Sequence, residues 1–116
     1  MPDRYGALMG SEPAATAGTS NQIIEELTIT IEPAKIDAYL ARDAEVWTAF
    51  LALQSGFEGK EVWLPPDRPG TVVLIIRWAS RDHWKAITEA QCAAVDAEMG
   101  DLLPDTLECR EYEVAG

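Results

Sequence analysis

The sequence is poor in the residues that most often carry covalent or metal chemistry: its 116 residues include two cysteines, one histidine and nine basic side chains. The spacing of Cys92 and Cys109 fits neither a zinc ribbon nor a Cys-x-x-Cys redox motif. Two isolated, buried thiols fit a cytoplasmic location, because small secreted domains usually carry several bridges. One histidine without clustered ligands makes no metal site. No apolar run reaches the roughly 18 to 20 residues of a membrane span, and the first 22 residues lack the apolar core of an export signal. There is no glycine-rich phosphate loop, no Gly-x-Ser-x-Gly elbow and no His-Glu-x-x-His pair, so phosphoryl transfer, nicotinamide chemistry and serine hydrolysis lose their support. Neither cysteine has a neighbouring base to activate it as a nucleophile. Twenty acidic residues against nine basic ones leave a formal charge of -11. Such a field repels phosphate backbones and anionic lipid, which argues against nucleic-acid and membrane partners.

What remains is an ordinary globular composition, 47% hydrophobic and 25% charged, in a length that suits one domain burying about two thirds of its open-chain surface. Residues 1–22 are rich in Ala, Gly, Ser, Thr and Pro without periodicity and read as a flexible N-terminal arm; residues 23–116 form the domain. From Ile23, Leu27, Ile29 and Ile31 alternate with Glu26, Thr28 and Thr30, the period of a half-buried strand. Pro33 then suits a first helical position, and Ala34 to Gln54 carries apolar residues at helical spacing, stopped by Ser55-Gly56. Phe57 to Leu64 is a second strand, followed by the turn Pro65 to Gly70. Thr71 to Ala79 is a third strand, Ser80 caps a second helix running to about Met99, and Thr106 to Val114 is a fourth strand.

This β-α-β-β-α-β order is that of an α+β, ferredoxin-like fold, an antiparallel sheet with two helices on one face. Strand 3 is apolar on both sides, with Val72, Leu74, Ile76 and Trp78 on one and Val73 and Ile75 on the other, which implies that both faces are covered. A second copy packed sheet to sheet would do this and give a homodimer, a dimeric α+β barrel; a monomer with an unusually apolar open face is the alternative.

Asp43 lies near the centre of the first helix's apolar arc at about 100° per residue. A carboxylate there costs several kcal/mol, on the order of a buried charge, unless it is paired or protonated. It is either a general base with a raised pKa or half of a structural pair with Lys60, Arg77 or a backbone group. Gln91 sits in the stripe of Trp84, Ile87, Ala94 and Val95 on the second helix. Polar groups on both helices suggest a cavity rather than a dry core, with walls supplied by Trp47, Trp63, Trp78 and Trp84. His83 falls in the first turn of the second helix, a place for an exposed side chain.

The segments DAEVWTAFLALQSGFEGKEVWLPPD and VVLIIRWASRDHWKAI resemble a family of short bacterial proteins of the dimeric α+β barrel superfamily, related in fold to antibiotic-biosynthesis-type monooxygenases. The resemblance covers about Ile23 to Val114 and is most specific at Gly59 to Trp63, at Arg77 to Ser80 and at Trp84-Lys85. It implies a homodimer with a pocket in each subunit between helices and sheet, and it places Trp78 on the pocket wall. Haem-degrading relatives use an Asn on strand 1 and a His on helix 2. Here strand 1 offers Glu25 and Glu26 and His83 comes too early, so no cofactor is expected. The implied function is cofactor-free oxygenation of a small aromatic substrate, with Asp43 as base and Trp47, Trp63, Arg77, Trp78, Trp84 and Gln91 as the binding set. The competing reading is a non-catalytic dimer that binds a small apolar or aromatic ligand.

Overall fold

The computed structural model describes residues 22–116; the expected N-terminal arm falls almost wholly outside them. Four strands, β1 (Ile23–Thr30), β2 (Phe57–Trp63), β3 (Thr71–Trp78) and β4 (Thr106–Glu113), form one antiparallel sheet in the order β2-β3-β1-β4. The ferredoxin-like α+β expectation holds. On β1, Ile23, Glu25, Leu27 and Ile29 are buried while the alternate residues are less so, and on β3 the matching inward row is Val72, Leu74, Ile76 and Trp78. Helices cover this face, and the core lies between the two layers.

The first helical run departs from a plain α-helix. A 3-10 turn at Pro33–Lys35 leads into α1 (Ile36–Asp43), then a π turn at Ala44–Thr48, then α2 (Ala49–Ala52). A π turn bonds i to i+5 and so rotates less per residue than the α-helix's ~100°. Everything beyond it lags by about one position. Hence Leu51 is buried at 3% exposure while Leu53, placed on the apolar arc by a uniform α period, is 84% exposed. Gly56 follows at φ +82, and a Cβ there would collide with the ring of His83, so glycine is required both by the backbone and by the close approach.

The second helical segment is two helices, α3 (Arg81–Lys85) and α4 (Glu89–Ala97). Ser80 caps α3 by accepting from the His83 N–H at 3.2 Å. The chain is then interrupted and restarted by a capping box, in which Thr88 Oγ1 accepts from Gln91 N at 3.1 Å and Gln91 Oε1 accepts from Thr88 N at 2.9 Å. The competition between such side-chain bonds and helix continuation is the physical reason that one expected helix becomes two. No helix among the described residues is long and apolar enough to cross a membrane.

Candidate functional site

Between the inward face of the sheet and the helices lies a cavity of about 50 Å³, room for roughly three to five waters at ~10–15 Å³ each. Its walls are mostly apolar, with Leu27, Leu74, Ile76, Trp47 and Trp84 among them, and its polar side chains include Glu25, Asp43 and Lys60.

Glu25 is there because β1 alternates: it shares the inward row with Leu27 and Ile29. It stands opposite Ile76 of β3 and is 4% exposed. Trp78, two residues further along β3 and fully buried, reaches diagonally across the strand pair to donate its indole N–H to Glu25 Oε1 at 3.0 Å. Burial drives the Glu25 carboxyl up from 4.5 to about 7, against the opposing pull of the Trp78 hydrogen bond and of the Lys85 and Lys60 ammonium groups. The carboxyl therefore exchanges its proton near neutrality, which is where a general base works best.

Asp43 closes α1 and faces Lys60 of β2. Lys60 Nζ donates to Asp43 Oδ2 at 2.5 Å and to Thr48 Oγ1 at 2.9 Å, and the two charged side chains are 6% and 3% exposed. Residues 43 and 48 are five apart, about 140° around an α-helix; the π turn brings them to one side, so that both reach the same ammonium. Of the two readings of Asp43 left open by the sequence, the paired one is what the structure displays, with Lys60 and not Arg77 as partner.

The remaining expected site residues divide. Trp47 and Trp84 line the cavity. Trp47 is held there by Asp96 of α4, whose Oδ1 accepts from the indole N–H at 2.9 Å. Trp78 stands behind the wall as the support of Glu25. Three others lie outside. Arg77 neighbours an inward Trp78 and so projects to the other face of the sheet, where it pairs with Glu61 at 2.8 Å and draws that carboxyl's pKa down. Trp63 is 50% exposed and donates to Glu61 at 3.3 Å. Gln91 is exposed and serves the capping box, because the break at Thr88 turns α4 so that Cys92, Val95 and Met99 face inward instead.

The sequence signal for Glu25 was present, since it is in phase with Leu27, Ile29 and Ile31; its meaning came only with the burial of the whole row. His83 lies outside the cavity, its Nδ1 bonded to Ser80 Oγ at 2.7 Å. Cys109 is a partly buried thiol on β4, pushed up to about 12 by burial and by nearby Glu25, so it stays protonated. Among the described residues no three His, Cys, Asp or Glu side chains gather as a metal site would require.

The described residues thus make a small α+β protein, a ferredoxin-like sheet with a mostly apolar cavity and a buried, titratable carboxyl between sheet and helices. The chain belongs to the antibiotic biosynthesis monooxygenase family, whose sequence pattern matches residues 22–91. Among solved structures it is similar to SnoaB from Streptomyces nogalater, a cofactor-independent oxygenase, at 19% identity and a TM-score of 0.62 over 84% of this chain and 96% of that one. It is also similar to proteins ascribed to the same family from Caulobacter crescentus (17% identity, TM-score 0.68, 84% and 92% covered) and Bordetella bronchiseptica (14%, 0.69, 83% and 99%). No curated protein matches by sequence.

Proposed function

We propose that the chain is an oxygenase of small hydroxyaromatic molecules that works without a cofactor, as SnoaB is described to do as an oxygenase, and that Glu25 is its general base. The observation that carries this is the Glu25 carboxyl, buried on the Trp78 indole at the wall of an aromatic cavity. Asp43, the base expected from helical phase, is committed to Lys60. With a hydroquinone as substrate, Glu25 removes an O–H proton and the anion gives its electrons to dioxygen. One oxygen atom enters the ring to give a hydroxyquinone and the other leaves as water. The substrate supplies all the electrons, so no external reductant is needed, and an apolar pocket protects the anion from reprotonation by solvent.

Oxygen uptake with a panel of hydroquinones and naphthols tests the reading. The Glu25→Gln variant is expected to turn over about 100-fold or more slowly than the native protein, as loss of a general base usually costs 10²–10⁴. Unchanged uptake would remove Glu25 from the chemistry, and binding of these molecules without any uptake would mark a ligand-binding protein instead.

The same proposal includes a homodimer through the face of the sheet that the helices leave uncovered. Val73 of β3 lies on it, half-buried, with Trp63 of β2 and Tyr112 of β4, which are 50% and 45% exposed, while Ile75 is already buried within the chain. Aromatic residues are enriched at such interfaces. Light scattering at micromolar concentration is expected to report twice the chain mass; a monomer at high concentration would overturn the dimer.

A further inference from the structure

Lys60 and Glu25 stand in one row across the sheet: each is paired in register with Ile76, Lys60 from β2 and Glu25 from β1, and both face the helices. With neighbouring strands ~4.8 Å apart, their backbones are about 10 Å apart, with the inward Ile76 of β3 between them on the cavity wall. An ammonium carries three N–H donors. Asp43 and Thr48 accept two of them, at 2.5 and 2.9 Å. These are the acceptors bonded to Nζ among the described residues, and the Lys60 side chain is only 6% exposed, so bulk water is a poor partner for the third. A buried donor without a partner is costly, and the wall on which this one stands is the cavity's.

We propose that Lys60 is the oxyanion-binding residue of the pocket, oriented by Asp43 and Thr48, and that the pocket selects hydroxyaromatic ligands in their ionised form, the phenolate oxygen accepting the third Lys60 N–H. This rests on the site reading above and deepens it. In a hydroquinone the two act on different oxygens: Lys60 holds the one that is ionised on binding, and Glu25 takes the proton of the other, which gives its electrons to dioxygen. The fixed orientation matters, because an ammonium already positioned by two acceptors does not have to reorganise when the charge develops.

The test uses 4-nitrophenol, whose neutral and ionised forms differ in colour, and 4-nitroanisole, which has the same ring but no ionisable oxygen. At the pH where free 4-nitrophenol is half ionised, the probe bound to the native protein is expected to be mostly phenolate. Lys60→Met removes the donor but strands Asp43, so the double variant D43N/K60M, which leaves no unpaired charge, is measured beside it. In the double variant phenolate affinity is expected to fall about tenfold to a hundredfold, the usual worth of a hydrogen bond to a charged group, while 4-nitroanisole binds as before. An unchanged phenolate affinity would overturn the proposal. So would an equal loss for both probes, which would make Lys60 merely structural, or a native protein that binds neither probe at millimolar concentration. Oxygen uptake by Glu25→Gln is a separate readout: these binding results can fail while that one stands, and the reverse.

Discussion

Replacing Glu25 by Gln is expected to make the domain more stable at alkaline pH, by about 3 kcal/mol. The isolated carboxyl ionises near 4.5 and the buried one near 7. Between those values the folded chain holds a proton that the unfolded chain has released, so stability contributed by this group falls as pH rises and is fully lost above about 7. A displacement of this size corresponds to about 3 kcal/mol at ~1.4 kcal/mol per unit. Glutamine does not ionise, and its amide oxygen can still accept the Trp78 N–H, so the variant avoids that loss. Urea unfolding at about pH 8 should show the full gain and unfolding near pH 4 almost none. Equal stability at both pH values would mean that Glu25 is solvated in the folded protein. A group kept at such a disadvantage fits the general observation that functional sites are stabilised by mutation at the expense of activity.

Asp43→Asn is expected to act in the opposite direction, lowering the unfolding free energy by about 3 kcal/mol, because it leaves the Lys60 ammonium buried without its counter-charge. In a domain of this size that corresponds to a fall in Tm of roughly 15 °C. The double variant D43N/K60M should recover much of the loss, since a neutral buried pair is often as stable as an ionic one. A double-mutant cycle on thermal unfolding, at equal protein concentration, measures the coupling directly. Additive losses would show that the two side chains do not act as a pair. The sign separates the two carboxylates of the cavity: one opposes folding and is free to exchange a proton, while the other supports folding and orients a cation.

The amino-acid sequence by itself determined the order of elements and the class of fold. Alternation of Leu27, Ile29 and Ile31 with Glu26, Thr28 and Thr30, the Pro65 to Gly70 turn and the doubly apolar Thr71–Trp78 are local patterns, and local patterns are enough to place strands and the helices between them. It also placed Asp43 on an inward helical face and offered Trp47 and Trp84 as pocket walls, where the structure has them. The tertiary structure decided the rest. A uniform helical period could not anticipate the π turn at Ala44–Thr48, which moves Leu51 in and Leu53 out and brings Asp43 and Thr48 to one ammonium. Nor could it show that the Thr88 capping box would turn Gln91 to solvent. Inward placement of Glu25 follows from β1 alone, but its raised pKa depends on burial beneath helices far along the chain and on Trp78, 53 residues away. Periodicity fixes which way a side chain points; desolvation and charge pairing depend on what meets it there, and only the folded chain brings those partners together.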